Sequence, residues 1–164
     1  MKFFRSRQRA AGFTLIEMVV TVAIVGLLST ISFPLIELAA RRSHERELRD
    51  ALRQIRTAID RYKQAVDEGR ILDDAKASGY PPNLNVLIAG VTDAKSPNKE
   101  QKIFFLRRIP HDPTAPETAS STEASWGLRS YASSSDSPQP GADVFDVYSL
   151  TAGMGLNSVP YRDW

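Results

Sequence analysis

One apolar run near the start of the chain limits what the rest can fold into. Phe13 to Phe33 is 21 residues long and holds a single charged side chain, Glu17. About 20 apolar residues in a helix span a bilayer, so this run predicts a transmembrane helix. The twelve residues before it carry four basic side chains and no acid. This asymmetry predicts a cytoplasmic N-terminus, with the rest of the chain across the membrane.

A secretory signal peptide is the alternative interpretation of this run, with cleavage after the small residues at 38–40. The apolar part of a signal peptide is usually about 7–15 residues long. The run observed here is longer, contains an acid and ends at Pro34. These features favour a retained membrane helix.

Glu17 is the residue that most needs an explanation. A carboxylate inside a membrane helix costs about 3 kcal/mol, so such residues usually have a partner. Cleavage between Gly12 and Phe13 would create an α-amino group four residues before Glu17. That amine could screen the carboxylate in its own helix or meet the carboxylate of a neighbouring chain. A glutamate that reaches the membrane surface is the alternative, and the residues alone leave both open.

The stretch GFTLIEMVVTVAIVGLLSTISFP, 12–34, resembles the class III leader motif of type IV pilins and type II secretion pseudopilins. The resemblance implies a leader peptide at 1–12 that a prepilin peptidase removes after Gly12. It also implies N-methylation of Phe13, a transmembrane and assembly helix at 13–34, and pairing of Glu17 with a neighbour's terminal amine. An amine that carries one methyl group is still protonated, so methylation preserves the pairing.

Gly26 and Pro34 predict weak points in this helix. Proline removes a backbone hydrogen bond and kinks a helix, and glycine lowers helix stability by about 1 kcal/mol relative to alanine. Between them, the hydroxyls of Ser29, Thr30 and Ser32 are placed to bond to carbonyls of the preceding turn.

A second helical signal continues beyond Pro34 and predicts that helix 35–67 extends the spine into a periplasmic head at 35–164. Its apolar positions recur at steps of three and four, which is the period of an amphipathic helix. They are Leu48, Ala51, Leu52, Ile55, Ala58, Ile59, Tyr62, Ala65 and Val66. The charged positions assigned to the opposite face are Glu45, Arg46, Arg49, Asp50, Arg53, Arg56, Asp60, Arg61 and Lys63. Gly69 predicts the stop.

The rest of the head, 70–164, predicts loops and a small sheet. A short amphipathic helix is expected near 84–91, and the polar stretch 91–102 is expected to be exposed. The best strand candidates are WGLRSYAS, 126–133, and DVFDVYSL, 143–150. An antiparallel pair laid on the apolar stripe of the helix gives an α+β, pilin-like fold.

The head also resembles the major pseudopilins of type II secretion. GYPPNLNVL, FFLRRIPHDP, the Trp-Gly at 126–127, Tyr131 and VFDVYSL follow in the family's order, although an insertion separates Pro113 from Trp126. The resemblance implies calcium in the last loop. Here the only acid of that loop, 151–164, is Asp163, so Asp143, Asp146 and Asp163 are weak calcium candidates, with solvated turn acids as the alternative.

Other chemistry has little support in the sequence. The chain has no cysteine, and its two histidines, His44 and His111, lack the spacing of a zinc helix. Four aromatic residues are expected to lie in the core or, as the alternative, to form subunit contacts: Trp126, Tyr131, Tyr161 and Trp164. No phosphate loop or nucleophile elbow is present, and beyond residue 40 basic and acidic residues alternate. We therefore predict neither an enzyme nor a nucleic-acid binder.

The resemblance implies a structural subunit of a type II secretion pseudopilus in the bacterial inner membrane, forming a periplasmic homopolymer with other pseudopilins. Its implied partners are membrane lipid, prepilin peptidase, an inner-membrane platform protein, an assembly ATPase and the outer-membrane secretin. A minor pseudopilin or a type IV pilin for adhesion, motility or DNA uptake is the first alternative, which the lack of cysteine disfavours. A membrane-anchored enzyme or binding protein is the second.

Overall fold

The computed structural model describes residues 12–72, 78–98, 100–115 and 121–164, with the backbone alone at 31–34. The predicted leader, apart from Gly12, lies outside the described residues. The chain divides into two compact units, with the boundary between Arg41 and Arg42. One helix, α1 (Leu15–Asp67), contributes to both units.

The first unit contains the apolar part of α1. This part is long and apolar enough to cross a membrane, and none of its described side chains is buried within the chain. The helix continues through Gly26 and Pro34. The predicted kink at these two residues stays a prediction.

The second unit is the head, and the apolar stripe of α1 is the centre of its core. Leu48, Leu52, Ile55 and Ile59 are fully or almost fully buried, as the helical period predicts. Burying a side chain of this size contributes about 1.5–3 kcal/mol, so these four are a major source of the stability of the head.

The prediction that Glu45 faces solvent is wrong. Its side chain is only 4% exposed, and its carboxylate accepts hydrogen bonds from Leu156 and Tyr161, more than a hundred residues along the chain. Glu45 lies three residues before Leu48, which is the spacing of the apolar stripe, so its assignment to the opposite face was incorrect. Polar partners from the C-terminal part of the chain cover it there.

Gly69 stops α1 as predicted. Its φ of 67° is in the left-handed region, where glycine carries no side-chain penalty. The amide of Gly69 donates to the carbonyl of Val66, and the amide of Arg70 donates to the carbonyl of Ala65. This pair of bonds is a Schellman motif, which satisfies carbonyls left over at the helix end.

After the helix, the described residues of the head form one short α-helix, four short strands and two 3-10 turns. They are α2 (Asn85–Ala89), β1 (Val91–Thr92), β2 (Lys102–Ile103), a 3-10 turn at Glu123–Ser125, β3 (Trp126–Arg129), β4 (Asp146–Ser149) and a 3-10 turn at Tyr161–Asp163. β1 pairs with β2, and β3 pairs with β4, both antiparallel. The α+β prediction, the short helix and both strand candidates are confirmed.

The β3–β4 pair covers the core stripe of α1. Trp126, Val144 and Val147 belong to the same buried cluster as Ile55 and Ile59. In the register of the pair, Gly127 lies opposite Tyr148 and Leu128 opposite Val147.

The stretch 91–102 is largely exposed, as predicted, with an exception at Asp93. It contains β1 and the start of β2, and Asp93 between them is buried. The guanidinium of Arg70 donates to Asp93 at 2.6 and 3.2 Å, and the Lys95 amide donates to it at 3.1 Å. The Arg70 hydrogen bond lowers the pKa of Asp93 below its ordinary value of 3.8, against an opposing effect of burial. The charge is buried because a cation after the helix neutralises it.

Candidate functional site

The predicted cleavage bond lies at the start of the described chain. Gly12 and Phe13 precede α1, and Phe13 is 78% exposed. A Cβ atom added at Gly12 would meet no other atom within 4 Å. Neither residue is packed against the rest of the chain, so a peptidase would meet no steric obstacle from the described residues. The cleavage and the methylation of Phe13 stay predictions.

Glu17 closes a capping box at the start of α1. The Thr14 hydroxyl accepts from the Glu17 amide at 3.3 Å, and the Glu17 carboxylate accepts from the Thr14 amide at 3.4 Å. These reciprocal bonds satisfy two amides that the first turn of a helix leaves without intrahelical partners. This role was not among the sequence-based predictions, although Thr-x-x-Glu before an apolar run is its signature.

The capping box directs the Glu17 carboxylate toward the N-terminal end of the helix. Cleavage after Gly12 would place the new amine on Phe13, next to the Thr14 amide that Glu17 already contacts. A carboxylate offers about four acceptor positions, so one long bond leaves room for an ammonium group. The positive end of the helix dipole also favours a negative charge in the first turn. Glu17 can therefore cap its own helix and accept an amine at the same place.

The rest of the apolar segment exposes a continuous apolar surface while satisfying its own polar groups. Large side chains such as Leu15, Val22 and Leu27 are more than two-thirds exposed. The hydroxyls of Ser29 and Thr30 donate to the carbonyls of Val25 and Leu27 at 2.8 and 2.7 Å, as predicted. The side chain of Ser32 lies outside the described residues. Because hydrocarbon offers no hydrogen bonds, a segment with this internal satisfaction suits a bilayer or a bundle of like helices.

The three weak calcium candidates contact different protein partners. Asp143 accepts from the Ser130 hydroxyl and the Tyr131 amide, both at 2.8 Å. Burial raises the pKa of Asp143, but hydrogen bonds from Ser78, Tyr131 and Ser130 outweigh that effect and lower it.

The other two candidates lie among arginines. Asp146 pairs with Arg56 at 2.7 Å and Arg129 at 3.1 Å, and Asp163 pairs with Arg162 at 3.4 Å. Within the described part of the chain, no three His, Asp or Glu side chains are grouped as metal ligands would be.

The four aromatic residues divide between core and surface. Trp126 and Tyr161 are buried, and Trp164 packs against the core cluster. Tyr131 is 61% exposed and contacts the rings of Tyr80 and Phe145 at centroid distances of 5.6 and 5.5 Å. The core interpretation therefore holds for three of them, and Tyr131 lies on the surface.

Neither histidine belongs to a described cluster of metal ligands, and both are exposed. The residue after His111, Asp112, is fully buried. Its carboxylate accepts from the Ser149 hydroxyl at 2.5 Å and from the Thr114 amide at 2.7 Å. These bonds join the turn at 110–115 to the end of β4, which explains Asp112 as a structural residue.

Known proteins resemble this chain both in its N-terminal apolar segment and over a longer stretch of sequence. A family model described as the prokaryotic N-terminal methylation motif matches residues 7–33. The type II secretion system core protein G of Aeromonas hydrophila is 24% identical over 107 residues, which cover 65% of this chain and 69% of that protein. The core protein G of Pseudomonas aeruginosa is 27% identical over 107 residues, 65% of this chain and 70% of that protein.

No solved structure matches the chain significantly. The methylation motif covers the segment that contains Gly12, Phe13 and Glu17, and the core G relatives extend the similarity well beyond that motif. The chain therefore carries the prokaryotic N-terminal methylation motif and, over about two-thirds of its length, is similar to the type II secretion system core protein G of two bacteria.

Proposed function

We propose that this chain is a structural subunit of a type II secretion pseudopilus. One observation carries the proposal: the apolar segment of α1, none of whose described side chains is buried, begins within the methylation motif at a carboxylate that caps the helix. Apolar surface of this extent must be covered by lipid or by copies of the same helix. Similarity to the core G proteins supports coverage by copies of the same helix. It also supports a role in type II secretion.

Assembly would follow from the physics of the helix. Lipid tails and leucine side chains are equally apolar, so helices associate in a membrane through packing and polar contacts rather than through the hydrophobic effect. A carboxylate left without a partner in that environment costs about 3 kcal/mol. The terminal amine of Phe13 in a neighbouring subunit would offset that cost at one register only. Glu17 would therefore decide how far one subunit is displaced along the next.

The remaining parts of the proposal concern processing and partners. A prepilin peptidase would remove 1–12 and methylate Phe13, and the head would lie in the periplasm with α1 in the inner membrane. A platform protein and an assembly ATPase would add subunits, together with other pseudopilins, and the growing homopolymer would push folded proteins through the secretin. The chain itself would catalyse no reaction. Relationship to structural subunits supports this assignment.

Processing is tested by mass spectrometry of the protein purified from membranes that contain a prepilin peptidase. The expected product begins at Phe13 and carries one methyl group. The same preparation from cells without the peptidase should retain residues 1–12. A chain that keeps Met1 when the peptidase is present would contradict the proposal.

The pairing role of Glu17 is tested by Glu17→Gln. Glutamine serves equally well at this position of a capping box, so helix initiation should be preserved while the charge is lost. We expect normal cleavage and membrane insertion but at least a tenfold loss of sheared surface fibres on overproduction, because about 1.4 kcal/mol corresponds to a factor of ten.

Glu37→Gln is the matched control, since Glu37 lies on the same helix, beyond the apolar segment, and is exposed. It should form fibres as the unmodified chain does. Normal fibres from Glu17→Gln would refute the pairing, and a loss of insertion would show that Glu17 acts before assembly.

A further inference from the structure

The end of the chain, 151–164, forms a loop that folds back on itself. We refer to it as the C-terminal loop. A β-bridge joins Met154 to Pro160, and the amide of Gly155 donates to the carbonyl of Val159 at 2.8 Å. These bonds give the loop a local structure, but they do not attach it to the rest of the head.

A buried carboxylate of α1 attaches the middle of the loop. Glu45 Oε1 accepts from the Leu156 amide at 2.8 Å and from the Tyr161 hydroxyl at 3.2 Å. Tyr161 is itself buried and belongs to the core cluster. Hydrogen bonds to a charged acceptor are stronger than those between neutral groups, and a buried carboxylate without such donors would be costly.

Two arginines on the same helix hold the end of the loop. Arg56 donates to the main-chain oxygen of Trp164 at 2.7 Å and to the carbonyl of Val147 in β4 at 3.0 Å. The guanidinium of Arg49 lies over the Trp164 ring, 4.2 Å from its centroid. A cation placed in this way is attracted by the electron-rich face of the tryptophan ring. The loop is therefore bound to α1 at both its middle and its end.

The residues present do not fit the calcium ion that the resemblance implies for this region. Residues 151–160 contain no acidic side chain. Asp146 and Asp163 line one cavity of about 260 Å³, but Arg56, Arg129 and Arg162 line the same cavity. Three guanidinium groups repel a divalent cation and already neutralise both carboxylates. A calcium site needs six to eight oxygen ligands, usually with several uncompensated carboxylates.

We propose that Glu45 and Arg56 clamp the C-terminal loop onto α1 and that this clamp replaces a calcium ion in fixing the loop. The buried carboxylate of Glu45 holds the loop through hydrogen bonds from α1. A calcium ion would instead hold it through ligands within the loop. The head then folds and stays folded without a divalent cation. The clamp belongs to the fold of the head, so the experiments that test it do not depend on whether the chain forms a filament.

The first test compares thermal unfolding of the full chain, purified in detergent, with excess calcium chloride and with the chelator EGTA. A site filled at a hundredfold excess over its dissociation constant would raise the Tm by about 10 °C for a head of this size. We expect the two Tm values to agree within about 1 °C. A rise of several degrees with calcium would overturn the proposal.

The second test is Glu45→Ala, which removes the acceptor from two donors of the loop. We expect the Tm to fall by about 5–10 °C. Amide hydrogen exchange at Leu156 should accelerate at least tenfold more than exchange at Leu52 in the core, because the loop is released before the head unfolds. Glu47→Ala is the matched control, since Glu47 is exposed on the same helix and bonds only to Ser43 among the described contacts.

Tyr161→Phe keeps the test informative if Glu45→Ala does not fold. It removes one hydroxyl and should lower the Tm by about 2–6 °C, with faster exchange at Leu156. Uniform acceleration of exchange at Leu156 and Leu52, or restoration of either variant by calcium, would contradict the clamp.

Discussion

A single methyl group added to Gly127 should destabilise the head through the ring of Tyr148. Gly127 in β3 lies directly opposite Tyr148 in β4, and the tyrosine ring packs across the glycine. A Cβ atom at position 127 would lie 2.3 Å from both Cε2 and Cζ of that ring. Ordinary contacts of this kind are about 3.4–4 Å, so the ring would have to move by more than about 1 Å.

Overpacking of this size typically costs about 1–3 kcal/mol. For a head of about 120 residues this lowers the Tm by about 4–12 °C, since the entropy of unfolding is about 2.1 cal/mol/K per residue. Thermal unfolding of Gly127→Ala, followed by circular dichroism, measures the loss. The steric origin is tested by a double-mutant cycle with Tyr148→Ala, which removes the ring.

In the Tyr148→Ala background, Gly127→Ala should cost less than about 0.5 kcal/mol, because the added methyl group then has space. An equal loss in both backgrounds would refute the steric argument. The cost would then arise from the strand backbone at Gly127 and not from the close approach of the ring.

Three further predictions concern the head. Because Arg70 lowers the pKa of Asp93, this pair stabilises the head fully above pH 3.8, and the contribution is lost as the pH falls through the lower pKa of the folded state. In urea unfolding, Asp93→Asn should therefore lose less stability between pH 5 and pH 3 than the unmodified chain does. Ile55→Ala should cost about 2–5 kcal/mol in urea unfolding at pH 7, since Ile55 is fully buried in the core. Asp112→Ala should cost about 1–3 kcal/mol in the same assay by leaving the buried Ser149 hydroxyl without its acceptor, and no loss would show that water replaces the carboxylate.

The elements that periodicity and turn chemistry control could be predicted from the sequence. The stripe from Leu48 to Ala65 is buried as its three- and four-residue steps indicate, and the left-handed Gly69 ends the helix. The strand candidates around Trp126 and Val147 form one antiparallel pair. The sequence patterns that predict these elements each lie within a few neighbouring residues.

The predictions that were wrong concern charged residues with distant partners. Glu45 was placed on the charged face because its neighbours in sequence are charged, yet its partners lie at Leu156 and Tyr161. Asp93 was placed in an exposed stretch because the stretch is polar, yet Arg70 allows its burial. The capping role of Glu17 was readable from Thr14, three residues earlier, and was missed.

The sequence by itself determined the long helix, its division into an apolar and an amphipathic half, and the placing of Glu17 at its start, because these depend on local spacing and composition. Only the tertiary structure decided which charges are buried and what holds the C-terminal loop. A carboxylate can be buried only where a donor from elsewhere in the chain compensates its lost hydration. Local spacing in the sequence does not show which distant donor will contact it.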